Sequence, residues 1–157
     1  MSLLMLNILL ALVWAAVSGH MTPGKFLEGF VLGYVVLWMI RPIFGSSRYL
    51  TKVPKVLTLT VVYLVNLVRA NIRIAHDVLT PSHHMRPAVI AVPLRAESGL
   101  EITMLANLIT MTPGSLSLDV SADGKTLYVH LVYCDDPDET RHEISEKLEA
   151  RLLEVLR

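Results

Sequence analysis

Residues 3–17 read LLMLNILLALVWAAV, and residues 26–40 read FLEGFVLGYVVLWMI. The first stretch is uncharged, and no Lys, Arg, Asp or Glu occurs before Lys25; the second is bounded by Lys25 and Arg41. Between them, residues 19–24, GHMTPG, carry turn chemistry. Two apolar helices joined by a short turn form a helical hairpin, and with Glu28 as their one charged residue they belong in a bilayer. Ala16-Val17-Ser18-Gly19 offers the small residues of a signal-peptide cleavage site, but the basic n-region is missing, so the first helix is expected to be retained.

Each stretch is about 15 residues and covers about 23 Å, against a hydrocarbon core of about 30 Å. Helices this short recruit flanking residues, thin the bilayer or shelter among neighbouring subunits. Gly29 and Gly33 stand four apart, the small-xxx-small spacing that allows close helix approach, although chance gives the same spacing in Gly-rich membrane helices. Glu28 is a weak ion-path candidate whose position near a helix end also suits an interfacial residue.

Composition agrees with a membrane protein: 53% of the 157 residues are hydrophobic and only 18% charged. Formal net charge is zero and the bases are scattered, which argues against a nucleic-acid partner. Cys134 is the single cysteine, so an intrachain disulfide and the multi-cysteine zinc patterns are excluded.

A third helical pattern covers about 55–78. It is apolar from Val56 to Val68 and then turns polar, and Asn66, Arg69, Arg73 and His76 share a face opposite Leu64, Leu67, Val68 and Ile72. Arg69 joins Glu28 as a weak ion-path candidate. This helix either crosses the membrane or lies in its surface. In the surface, Arg41, Arg48, Lys52, Lys55, Arg69, Arg73 and Arg86 share one side against Lys25 alone, so loop charge favours two crossings with a cytoplasmic remainder. His83-His84-Met85, with His76 upstream, lacks a carboxylate or thiol at ligand spacing and reads as a solvated linker; no metal or other cofactor is expected.

Near Pro87 the grammar changes. Membrane helices at about 3–19, 26–44 and 55–78 occupy residues 1–86, and residues 87–157 read as a small α/β domain. Val89 to Leu94 is a strand whose Pro93 marks an edge or an end. Ser98 and Glu101 make a capping box for a helix burying Leu105, Leu108 and Ile109. Thr112-Pro113-Gly114 stops that helix. Leu116, Leu118 and Val120 alternate along one strand, Asp123-Gly124 turns the chain, and Leu127, Val129, Leu131 and Tyr133 alternate along the next, with Tyr128 and His130 opposite. Asp136 caps a last helix with Pro137 at its first position, Ile144, Leu148, Leu152 and Val155 inward, and Glu143 paired to Lys147. The order β-α-β-β-α is the ferredoxin-like arrangement without its final strand. No catalytic constellation is visible, so the chain is not expected to be an enzyme.

Residues 106–120, ANLITMTPGSLSLDV, followed by Leu127-Tyr128-Val129-His130, resemble the signature of the E subunit of the Mrp-type (Mnh, Pha) multisubunit monovalent cation/proton antiporters. The resemblance extends over nearly the whole chain in length, apolar hairpin, basic connection and C-terminal domain. It implies an accessory or assembly subunit of a bacterial inner-membrane complex that exports Na⁺, and sometimes K⁺ or Li⁺, in exchange for protons, contributing to cation efflux and pH homeostasis. Its implied partners are the other antiporter subunits and membrane lipid, with translocation assigned chiefly to large subunits similar to those of respiratory complex I. Thr112, Pro113 and Gly114 match the family and imply a structural role or a contact with another subunit; the segment after Val132 departs from it, and Cys134 receives no role. The alternative is a stand-alone, membrane-anchored regulatory domain that binds a small ligand or metal.

Overall fold

The computed structural model describes residues 2–44, 48–80 and 85–157; His83 and His84 lie outside the described residues. Contacts group the chain into two units, Met1–Pro54 and Lys55–Arg157.

In the first unit, helix α1 spans Leu3–Val17 and α2 spans Pro23–Met39. Ser2 caps α1 by accepting from the Met5 N–H. Thr22 does the same for Lys25, with Pro23 at the first position of α2 where its missing N–H costs nothing. Gly19, at φ +72°, makes the turn between them. The two helices pack along facing seams: Asn7, Ala11 and Ala15 on α1 are buried, as are Gly29, Gly33 and Leu37 on α2. Around these seams Leu9, Val13, Leu27, Val31 and Val36 point outward and exposed, a surface suited to lipid rather than water.

The second apolar segment departs from the expected 26–44. Helix α2 starts earlier and ends at Met39, Ile40 leaves helical geometry, and a separate turn α3 covers Arg41–Phe44. Pro42 has no N–H with which to continue the ladder, which accounts for the break. The third helix, expected at 55–78, runs as α4 from Arg48 to Leu79, with Pro54 inside it. Pro54 cannot donate to the Leu50 carbonyl four residues earlier. That carbonyl instead accepts the Tyr34 hydroxyl, at 3.4 Å.

In the second unit, strands β1 (Ala88–Pro93), β2 (Ser115–Val120) and β3 (Thr126–Leu131) form a sheet in the order β1-β3-β2, each outer strand antiparallel to β3. Helix α5 (Gly99–Thr110) joins β1 to β2, so β1 and β2 are parallel with β3 between them. After β3 come α6 (Pro137–His142), a π-helical segment at Glu143–Glu149 and α7 (Ala150–Leu156). Ile90, Val92, Leu127, Val129 and Leu131 on the inner sheet face pack with Leu105, Ile109, Ile144 and Leu152 into one core. The Ser98–Glu101 capping box and the Asp136 cap form as the sequence indicates.

The alternating leucines of β2 do not face the core. Leu116 stands opposite His130 and, like Leu118, is exposed; a register shift between Ser117 and Asp119 then sets Val120 opposite Leu127, half-buried. Ser115 and Ser117 face α5 instead: their hydroxyls donate to the Ile109 and Ala106 carbonyls at 2.7 and 3.0 Å. The Ile109 carbonyl also accepts the Thr112 N–H at 3.0 Å, so the Ser115 hydroxyl is a second donor at the end of α5. The last helix is also not a continuous α-helix. Its wider π turn rotates the following residues, so that Leu153 is buried while Val155 is half-buried. The same turn carries Glu149 into the interior.

Candidate functional site

Of the residues singled out in the sequence, Gly29 and Gly33 lie on the α1–α2 seam. A Cβ at Gly29 would stand 2.8 Å from the Trp14 Cβ and 2.9 Å from the Ala11 Cα, and one at Gly33 would overlap the Asn7 Oδ1. Their spacing is used within the chain. Asn7, which the sequence reading passed over, donates from Nδ2 to the Tyr49 hydroxyl at 2.7 Å, tying α1 to the start of α4. Tyr49 meets Tyr34 edge-to-face, with ring centroids 5.8 Å apart. A buried amide is tolerated in an apolar helix when a partner is in reach; three polar residues in otherwise apolar helices were the available signal.

Glu28 sits at an exposed helix end, paired with Lys25 at 2.8 Å and within 3.5 Å of the Trp14 indole N–H. It faces outward, away from the buried seam.

Thr112, Pro113 and Gly114 form the link from α5 to β2. The Thr112 hydroxyl donates to the Leu108 carbonyl at 3.1 Å, and Gly114 takes φ +88°, a conformation that favours glycine. The Gly114 carbonyl then accepts the Val132 N–H at 2.8 Å. A Cβ here would lie 3.6 Å from the Tyr133 ring and 3.8 Å from Ile74 of α4.

Tyr133 is the centre of a cluster that the sequence did not disclose. The Arg73 guanidinium lies 4.1 Å from its ring centroid and pairs with Asp135 at 3.3 Å; Arg86 reaches the same carboxylate at 3.7 Å. Asp77, one turn further along α4, is buried. Loss of solvent, and then the neighbouring Asp77, raise the Tyr133 hydroxyl above the usual phenol range, so it stays protonated. Asn66, Arg69, Arg73 and His76 are expected to share a polar face; from that face Arg73 binds α4 to the α/β domain through Tyr133 and Asp135. At the other end, Lys55 pairs with Glu154 at 3.8 Å, and Leu59 packs on the core.

Two carboxylates are built into the domain itself. Glu149 accepts the Arg95 and Ala96 N–H groups at 2.7 and 2.9 Å, fixing the loop after β1. Glu101 accepts from the N–H groups of Glu97 and Ser98 and pairs with Arg157 at 3.1 Å. Arg157, foremost, and those N–H groups hold the Glu101 carboxyl at about 2. Both are structural in placement. Among the described residues, no group of three or more His, Cys, Asp or Glu is arranged to hold a metal ion. Arg69 is exposed and borders a cavity between α4 and the α/β domain.

These features occur in a chain whose residues 7–155 match the MNHE family, described as Na⁺/H⁺ ion antiporter subunit. The chain belongs to that family. Its relatives include the E subunit of the Na⁺/H⁺ antiporter of Bacillus subtilis, 33% identical over 154 residues and 98% of each chain. That of Alkalihalophilus pseudofirmus is 30% identical over 97% of this chain and 96% of its own. The E1 subunit of the Staphylococcus haemolyticus antiporter is 34% identical over the same shares. Among solved structures, a chain of the membrane-bound sulfane sulfur reductase, an archaeal respiratory membrane complex, aligns over 97% of this chain and 98% of its own, at 22% identity and a TM-score of 0.56. That likeness concerns the fold. A chain of the Mrp complex from Dietzia sp. DQ12-45-1b aligns over 57% of this chain and 84% of its own, at 32% identity and a TM-score of 0.49.

Family membership makes the apolar surface of α1 and α2 that of a membrane protein. One helix among the described residues, Tyr49–Leu79, is long and apolar enough to cross a bilayer. The matched span includes the run 106–120, whose Thr-Pro-Gly link lies against Tyr133.

Proposed function

We propose that this chain is the E subunit of a multisubunit Na⁺/H⁺ antiporter in the bacterial cell membrane, an accessory subunit that helps to assemble and stabilise the complex. The observation that carries this reading is similarity over nearly the entire length to proteins named as the E subunit of such antiporters. The structure adds a physical reason for an accessory role. A translocation path needs ionisable groups sheltered at mid-membrane. Glu28 is instead exposed and ion-paired, and Arg69 is exposed beside the α/β domain. Ion passage, whether of Na⁺, K⁺ or Li⁺, is then the work of other subunits, and this chain contributes to cation efflux and pH homeostasis through the complex.

On this reading α1 and α2 are a transmembrane hairpin, residues 1–86 are the membrane region, and residues 87–157 are a cytoplasmic domain of ferredoxin-like order without the last strand. Support for the surface placement of α4 comes from its partners. Lys55 and Arg73, separated by about 27 Å of helix, both pair with the α/β domain. A spanning α4 would draw Asp135 and Glu154 toward the hydrocarbon, at several kcal/mol per charge. Lying in the surface, α4 turns Leu57, Val61, Leu64, Val68 and Ile72 to lipid.

Purification in mild detergent tests the assignment: the tagged chain is expected to carry large antiporter subunits with it, and migration alone would overturn the reading. For topology, Ser18→Cys and Ser121→Cys, each in a Cys134→Ser background, are labelled in intact cells with an impermeant maleimide. Two crossings give opposite accessibility; three give the same.

A further inference from the structure

The cavity beside Arg69 has a volume of about 430 Å³, within the range of about 300–1,000 Å³ typical of small-molecule sites. Val62 and Val65 of α4 form one wall, and Ile144 and Leu148 of the π segment form the opposite one. Arg69, Lys147 and Arg151 border it. Lys147 is neutralised by Glu143, at 2.6 Å. Among the described residues, Arg69 and Arg151 have no carboxylate within ion-pair distance. Two guanidinium groups therefore stand uncompensated at the edge of an apolar groove. In a chain whose other cations are largely paired, that is the chemistry of an anion attached to an apolar tail.

Val61 and Val65, also in the groove wall, belong to the exposed apolar face of α4. The groove is thus continuous with the surface that meets lipid, so an acyl chain enters it without crossing water. From this geometry we infer that the cavity binds an anionic phospholipid, its headgroup phosphate between Arg69 and Arg151 and part of an acyl chain against Val62, Val65 and Leu148. Guanidinium is suited to this because its fork matches phosphate oxygens two at a time. The bound lipid would wedge between α4 and the α/β domain and make their docking depend on the anionic leaflet. The inference rests on α4 lying in the membrane surface.

The test uses the full chain, purified in mild detergent, stripped of lipid and titrated with phosphatidylglycerol or with phosphatidylcholine of the same chain length, bound lipid being counted by native mass spectrometry. Wild type is expected to retain one phosphatidylglycerol in preference to phosphatidylcholine, a preference that falls with added salt. Arg69→Gln with Arg151→Gln should weaken phosphatidylglycerol binding by roughly tenfold or more, to the level of phosphatidylcholine. Leu148→Trp, which fills the groove and keeps the charges, should weaken both lipids, and Lys125→Gln, in the distant β2–β3 turn, neither. Equal binding of the two lipids by wild type, or unchanged binding in the double variant, overturns the proposal. So does inorganic phosphate that binds alone as well as the lipid does. If wild type takes no lipid, yet the assembled complex shields Arg69 and Arg151 from an arginine-specific reagent, the occupant is an acidic segment of another subunit and the lipid assignment falls. Opposite accessibility at Ser18 and Ser121 with no lipid bound sinks the lipid site and leaves the topology intact.

Discussion

The guanidinium of Arg73 stacks on the ring of Tyr133, 4.1 Å from its centroid, while the same group reaches the Asp135 carboxylate at 3.3 Å. One side chain thus closes the C-terminal half of α4 onto the strand end that follows β3. Arg73→Ala is expected to cost about 1 kcal/mol, felt mainly as faster hydrogen exchange in residues 66–79. Arg73→Lys should recover part of the protection, since an ammonium keeps the charge and loses the planar stack. Exchange unchanged in both variants would show that the clasp does not hold α4.

Gly33 faces Asn7 so closely that a methyl group has no room. Gly33→Ala should therefore destabilise the α1–α2 pair by about 1–3 kcal/mol, read as a lower yield of folded chain in detergent. Combined with Asn7→Ala, which removes the obstructing amide, the cost should shrink; the measurement is a double-mutant cycle on the denaturation midpoint. Additive losses would contradict the close contact.

At Gly114 the backbone demands the left-handed region rather than space. Gly114→Ala should lose about 1–2 kcal/mol, shown by a lower thermal midpoint and a smaller amount of chain in the membrane. Ser115→Ala, which removes the hydroxyl that caps α5 at 2.7 Å, should cost about 1 kcal/mol.

Glu101 gives the α/β domain an acid sensitivity. Its folded-state carboxyl lies at about 2, below the ordinary 4.5, because Arg157 and two N–H groups favour the anion. A lowered folded value means stability that is present above about 4.5 and lost as pH falls from there toward 2. Glu101→Gln should lower stability at neutral pH and flatten the pH dependence in that window. Urea midpoints of the full chain in detergent, at steps between pH 2 and 6, check this; an unaltered acid limb would be the contrary result.

Much of the fold was written in local pattern. The charge-free run 3–17 is one continuous segment, and the Ser98–Glu101 box and the Asp136-Pro137 start each depend on residues within a turn of one another; such local signals survive whatever packs around them. The misreadings came where distant residues compete. Pro54, a helix breaker by type, stands inside α4, and the Leu50 carbonyl that it cannot serve accepts the Tyr34 hydroxyl. Leu116 and Leu118 alternate along β2, yet it is Ser115 and Ser117 that turn toward α5, where their hydroxyls donate to the Ile109 and Ala106 carbonyls. Residue type drew attention to Gly29, Gly33 and Thr112 to Gly114, which the structure places at a close helix contact and a tight turn, whereas nothing local marked Asp77 or Tyr133.

Sequence by itself determined that a mainly apolar half, charge-free before Lys25, precedes a more highly charged α/β half, because burial in lipid and burial in a water-facing core demand different compositions. It determined the antiporter-subunit family through the run 106–120. Tertiary structure alone decided what the polar face of α4 is for. Arg73 and Asp77 meet Tyr133 and Asp135 across more than fifty residues of chain, a distance over which periodicity carries no information. It also decided that Arg69 and Arg151, far apart in sequence, border one cavity.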